Sequence, residues 1–109
     1  MSLKPNKVFS MLGLAMKAGK VVSGEFSTEK AIKSGKAHMV IVAEDASDNT
    51  KKAFSDSCSY YQVPFAIYGT KDELGHCMGK QMRASLAVIE EGFGREIAKK
   101  IEMQNNMEV

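Results

Sequence analysis

Gly13-Leu14-Ala15-Met16-Lys17-Ala18-Gly19-Lys20-Val21 is the stretch nearest to a phosphate-binding loop, and its details argue against nucleotide hydrolysis. Five residues separate the glycines where such a loop has four, and Val21 stands where a Ser or Thr hydroxyl would hold magnesium. The stretch also follows a helical pattern, whereas a P-loop leaves a strand and opens a helix. No Gly-x-Gly-x-x-Gly dinucleotide pattern and no Gly-x-Ser-x-Gly elbow occurs. Glu44-Asp45 and Glu90-Glu91 are sequence neighbours, so their side chains point apart and suit capping of strand-to-helix junctions rather than paired acid–base work. His38, Cys58, His76 and Cys77 lack the repeated short spacing of metal-ligand pairs, so no metal site is expected. Neither cysteine has a histidine that the sequence places as a base, and both are expected as reduced, buried or half-buried thiols. The chain is therefore expected to hold no cofactor and no catalytic residue, and not to be an enzyme.

Two other segments carry binding chemistry. From Ala18 to Lys30, glycines, a short basic strand and a helix start follow one another, with Gly24-Glu25-Phe26-Ser27 at the start itself. A helix start presents unpaired N–H groups and a partial positive charge, which suits a phosphate or an electronegative base edge. Lys30 and Lys33 are about one turn apart and would track a backbone. Between Lys17 and Lys36 there are five lysines (17, 20, 30, 33 and 36) against Glu25 and Glu29, although a solvated helix face and a glycine-terminated turn would produce the same pattern. The second segment is Gly75-His76-Cys77-Met78-Gly79-Lys80-Gln81-Met82-Arg83, in which Lys80 and Arg83 could hold phosphates and Met82 could pack on a sugar or base. Methionine in such a place is more often part of a core.

The elements that must position these segments alternate between helix and strand. Apolar residues from Val8 to Met16 recur at three- and four-residue spacings, predicting a first helix from Asn6 that stops near Gly19. Lys20-Val21-Val22-Ser23 is β-prone. A second helix opens at Ser23-Gly24, with Phe26, Ala31 and Ile32 on one side and Gly35 closing it. Ala37 to Ala43 has β-branched residues and no polar alternation, so it reads as a central strand covered on both faces. Ser47-Asp48-Asn49-Thr50 caps a helix through about Tyr61, and Val63 to Gly69 is a strand with Pro64 at its start. A short helix capped by Thr70 or Asp72 runs to Gly79, Ser85 to Ile89 is a strand, and a last helix spans about Gly92 to Met103. Gln104 to Val109 is expected to fray, leaving residues 1–103 as one domain. The order argues for an α/β layered fold with helices on both faces of a small sheet.

Composition agrees with that class. The 109 residues are 44% hydrophobic and 26% charged, ordinary for one globular domain. No apolar run approaches the roughly 18 residues of a membrane span, and the N-terminus lacks a clean signal peptide, so a cytoplasmic protein with no membrane contact is expected. A net charge of +2 does not by itself announce a nucleic-acid binder; its concentration between residues 17 and 36 is the relevant feature.

Leu12 to Gly24, Lys30 to Ala37, Val40 to Asp45, and Glu73-Leu74-Gly75 with Gly79-Lys80 stand in an order and spacing that resembles the ribosomal-protein L-seven-Ae/L-thirty-e family, most closely its small bacterial branch of the YlxQ type. The resemblance covers about residues 7 to 101. It implies a three-layer α/β/α sandwich with a small mixed sheet. It also implies binding to kink-turn RNA, a sharply bent internal loop with tandem sheared G·A pairs, whose opened groove admits a helix start that a regular A-form groove excludes. In the family, Gly-x-Asn/Lys-Glu/Gln-x-x-Lys begins that helix. Gly24 and Lys30 match, whereas Phe26 and Ser27 occupy the two polar positions; Ser27 is too short to replace a Glu or Gln, and Glu25 could take over if the helix starts one residue differently. Phe26 would either stack on a base or turn into the core, and the core is preferred. The family loop that covers extruded nucleotides maps to Gly79-Lys80-Gln81-Met82-Arg83.

The RNA-binding surface expected from these readings is Lys17, Lys20, Gly24, Glu25, Phe26, Ser27, Lys30, Lys33, Gly79, Lys80, Gln81, Met82 and Arg83. Its partner would be structured RNA of the kink-turn type, such as ribosomal RNA, with ribosome association and a protein that is monomeric when free. The alternative is a protein–protein interaction module on the same fold with little specific RNA binding.

Overall fold

The computed structural model describes residues 6–107, with side chains described through residue 104. Nine elements follow in chain order: α1 (Lys7–Lys17), β1 (Val21–Ser23), α2 (Glu25–Lys33), β2 (Met39–Val42), α3 (Asp48–Tyr61), β3 (Phe65–Ile67), α4 (Lys71–Cys77), β4 (Ser85–Val88) and α5 (Glu91–Met107). The strands form one mixed sheet in the order β1-β4-β2-β3. β4 runs antiparallel to both neighbours, with Ser23 opposite Leu86 and Val40 opposite Ala87, while β2 and β3 are parallel and joined through α3. Helices α1, α4 and α5 pack together on one face and α2 with α3 on the other, which makes the three-layer sandwich expected from the resemblance.

Both interior strands, β2 and β4, are buried at every position. That is why their sequences show no polar alternation. Leu12, Ile32, Ile41, Leu74, Leu86 and Ile97 are fully enclosed between the layers, each worth about 1.5–3 kcal/mol of burial. Local caps set the helix starts. The Asn6 side chain accepts the Phe9 N–H at 3.0 Å, and the Ser47 hydroxyl accepts that of Thr50 at 3.1 Å. Thr70 and Glu73 form a reciprocal capping box, so Thr70 rather than Asp72 caps α4. The last helix runs on to Met107, past the Met103 at which the apolar pattern ends, because no Gly or Pro interrupts it; residues 108 and 109 lie outside the described residues.

One expectation is overturned. Phe26 is not in the core: it is 78% exposed, and Thr28, Ala31 and Ile32 supply the buried face of α2. At about 100° per residue, positions 28, 31 and 32 cluster on one side and Phe26 lies about 120–160° from each of them. Packing of α2 on β1 and β4 selects the stripe with three residues over the single larger one.

Candidate nucleic-acid interface

β1 is an edge strand of three residues, and its exit determines how α2 begins. The Gly24 N–H donates to the Ser85 carbonyl at 3.0 Å, which closes the β1–β4 ladder, and Gly24 then turns with φ 96° and ψ 159°. Only glycine adopts that region without strain, so Gly24 is where the chain can leave the sheet and start a helix at once. Gly24 has no side chain to cap the helix. The first helical donor with an internal acceptor is the Thr28 N–H, bonded to the Gly24 carbonyl at 3.0 Å. The N–H groups of Glu25, Phe26 and Ser27 have no acceptor among the described residues, and they concentrate the positive end of the helix dipole. Glu25 and Phe26 are exposed and Ser27 is half-buried. The helix starts at Glu25, and the Lys30 side chain is exposed one turn beyond Phe26 on the same outward face.

The loop after α4 is brought against this helix start. The Arg83 Nε donates to the Ser23 hydroxyl at 3.0 Å, and its Nη1 donates to the Met82 carbonyl at 2.8 Å. One guanidinium therefore ties the loop to the last residue of β1, immediately before Gly24. The loop is also held from below: the Lys80 N–H donates to the Gly75 carbonyl at 2.8 Å and the Arg83 N–H to the Lys71 carbonyl at 3.1 Å. Gly79, with φ 66°, makes the reversal at the end of α4. Gly75 is fully packed, and a Cβ there would collide with the Gln81 carbonyl and come within 2.9 Å of the Met82 Cα. The outer side of the loop carries Lys80, Gln81 and Met82, all exposed.

The expected site residues thus divide. Gly24, Glu25, Phe26, Ser27 and Lys30 stand at the end of β1 to which Arg83 ties the loop of Lys80, Gln81 and Met82, while Gly79, where that loop leaves α4, lies toward Met16 of α1. Lys33 shares the outward face of α2 but pairs with Glu29 at 3.5 Å, and Glu29 in turn accepts the Ser57 hydroxyl of α3 at 3.0 Å. Lys20 sits at the other end of β1, where its carbonyl accepts the Ile89 N–H, about 13 Å along the strand from Gly24. Its ammonium acts there on Glu90, whose carboxyl is held below its ordinary value first by the N–H groups of Phe93 and Gly92 and then by Lys20 and His38. Lys17 ends α1, in the helix layer that also holds α4, and the nearest atom to a Cβ on Gly79 would be the Cε of its neighbour Met16, 4.0 Å away. Ser23 was not singled out in the sequence, since a lone serine before a glycine carries no signal of an arginine sixty positions away.

Among the described residues neither cysteine is an activated nucleophile. Cys58 is buried and Cys77 half-buried, both are free thiols, and burial pushes each up to about 11, with Glu29 and Glu73 respectively adding to the effect. Among the described residues no three His, Cys, Asp or Glu side chains converge as metal ligands, and no helix is long and apolar enough to cross a membrane.

Residues 6–98 match the model of the ribosomal protein L7Ae/L30e/S12e/Gadd45 family. The chain is 43% identical over 89 residues to the RNA-binding protein YlxQ of Bacillus subtilis, covering 82% of this chain and 89% of that one. It is 40% identical over 96 residues to the RNA-binding protein YlxQ of Enterococcus faecium, covering 88% and 92%. A solved structure of a protein of unknown function from Bacillus halodurans superposes with a TM-score of 0.87 at 37% identity, covering 90% of this chain and 99% of that one. The 15.5kD RNA binding protein of Giardia lamblia superposes with a TM-score of 0.76, covering 94% of each chain; at 20% identity it supports the fold alone.

Proposed function

This chain belongs to the ribosomal protein L7Ae/L30e/S12e/Gadd45 family, and from that premise we propose that it binds structured RNA of the kink-turn type and stabilises its bend as a cytoplasmic, ribosome-associated protein, monomeric when free. The reading rests above all on the Arg83–Ser23 hydrogen bond, which sets the uncapped start of α2 and the loop from Gly79 to Arg83 side by side. The N–H groups at Glu25, Phe26 and Ser27 meet the electronegative groups of an opened groove. Lys30 and Lys80 neutralise phosphates on either side, while Gln81 and Met82 cover nucleotides pushed out at the bend. The relatives named as RNA-binding proteins, 40–43% identical over most of their length, support the same partner. Lys17, beside the Met16 that faces Gly79, adds a cation on the loop side, whereas Lys20 at the far end of β1 and Lys33 paired with Glu29 contribute at most long-range attraction.

Fluorescence titration against a kink-turn duplex, beside the same duplex with its G·A pairs replaced by Watson–Crick pairs, tests the proposal. Tight binding to the first and weak, salt-sensitive binding to the second is the expected result. Equal weak binding to both overturns kink-turn recognition. The rival reading, a protein-interaction module, draws support from Phe26 and Ser27 standing in place of two polar residues; it predicts a protein complex that survives nuclease and high salt.

A further inference from the structure

We infer that Phe26 is a nucleobase-stacking subsite, so that the chain selects RNAs presenting an unpaired base beside the start of α2. The inference rests on the RNA-binding reading and adds a specificity that the reading does not contain. An exposed apolar residue is unremarkable by itself. Phe26 differs through its surroundings. At 78% exposure its ring lies outside every core contact, on the outward face of a helix otherwise occupied there by Lys30 and Lys33. Lys30 is one turn further on, about 6 Å between Cβ atoms, where a flexible ammonium reaches the phosphate of a nucleotide whose base lies on the ring. Met82, 49% exposed, supplies a second apolar surface on the loop that Arg83 fastens to Ser23. An apolar ring beside the exposed Lys30 fits a partner with flat apolar faces and a negative backbone, which describes RNA better than an apolar protein surface.

Phenylalanine has no donor or acceptor, so it cannot tell one base edge from another. It selects a conformation: within a duplex both faces of each base are already stacked, and only a splayed-out base offers a face to the ring.

The test uses the full chain and kink-turn RNAs carrying 2-aminopurine at each unpaired position in turn. Binding by the wild-type protein is expected to quench the probe at one position. Phe26→Ala is expected to weaken binding by about 5- to 150-fold, the range that loss of one base–aromatic stack produces, and to abolish that quench. Phe26→Tyr should restore both, and Phe26→Leu should restore neither. Because the residue is 78% exposed and lies outside the core cluster, all three variants should melt close to the wild type. Kink-turn binding that is intact in Phe26→Ala overturns the stacking subsite while leaving the RNA-binding reading in place, as does full rescue by Phe26→Leu. Failure of the wild-type protein to bind any of these RNAs removes both readings. Loss in Phe26→Ala of a nuclease-resistant protein complex, with RNA affinity unchanged, assigns the ring to a protein partner instead.

Discussion

Arg83→Met removes the strut between the two halves of the proposed interface while keeping a similar volume. The lost contacts are the 3.0 Å bond to the Ser23 hydroxyl and the 2.8 Å bond to the Met82 carbonyl. Hydrogen bonds from a charged donor contribute about 1.5–3 kcal/mol when buried, but Arg83 is half-exposed and water replaces part of what is lost, so about 1–2 kcal/mol of stability is expected to go. For a chain of this length that lowers Tm by about 4–8 °C and leaves the protein folded at 25 °C. The loop keeps its bonds from Lys80 to Gly75 and from Arg83 to Lys71, so the change is a loss of registration with Gly24 rather than a loss of the loop. RNA affinity should fall by about 10-fold or more, since binding must then order the loop. Arg83→Lys decides the role. A lysine keeps the charge but not the two-pronged geometry, so a strut predicts weakened binding in both variants with an unchanged salt slope. If instead Arg83→Lys binds like wild type and Arg83→Met lowers the log–log salt slope by about 1, Arg83 is a phosphate contact and the strut is refuted.

Other perturbations probe the same structure. Gly75→Ala forces a methyl group into the Gln81 carbonyl, and should cost about 1–3 kcal/mol and displace the loop, read as lower Tm and weaker RNA binding together. Lys30→Ala should leave Tm unchanged, because the side chain is exposed, and lower the salt slope of RNA binding by about 1. The Glu90 carboxylate caps α5 through the Phe93 N–H at 2.7 Å, and its folded value lies below the ordinary 4.5. Its stabilisation is therefore present above about pH 4.5 and is lost as pH falls through the lower folded value; Glu90→Gln should flatten that part of a denaturation-midpoint profile against pH. Both cysteines, pushed up to about 11, are thiols at neutral pH, so disulfide reagents should modify native protein far more slowly than unfolded protein, with rates still rising above pH 9.

What was legible in the sequence is what depends on near neighbours. Apolar spacing along α1 marked a helix because its buried residues, Val8, Leu12 and Ala15, lie within two turns of one another. An apolar run with Val40, Ile41 and Val42 and no polar alternation identified β2 as an interior strand, and Ser47 and the pair Thr70 or Asp72 announced helix starts because such side chains serve N–H groups two or three positions on. Gly24 could be read as the start of a binding helix for the same reason. The alternation of helix and strand implied helices on both faces of a small sheet, and the family resemblance added the three-layer sandwich with a mixed sheet.

Only the tertiary structure decided which face of α2 is buried, because that depends on how Thr28, Ala31 and Ile32 fit against β1 and β4. Hydrophobicity alone put Phe26 inside; packing put it outside, in front of Lys30. Tertiary contact also separated cations that look equivalent in sequence. Lys33 is drawn to Glu29, Lys20 lies at the far end of β1, and Arg83 directs two of its five donors to Ser23 and Met82. Residues 23 and 83 are sixty positions apart, so no local pattern encodes their contact; it exists because β1 and β4 pair antiparallel and set Ser23 beside the start of β4. Side-chain type and spacing determine what a segment can form, whereas the surface that a partner meets is determined by which segments the sheet brings side by side.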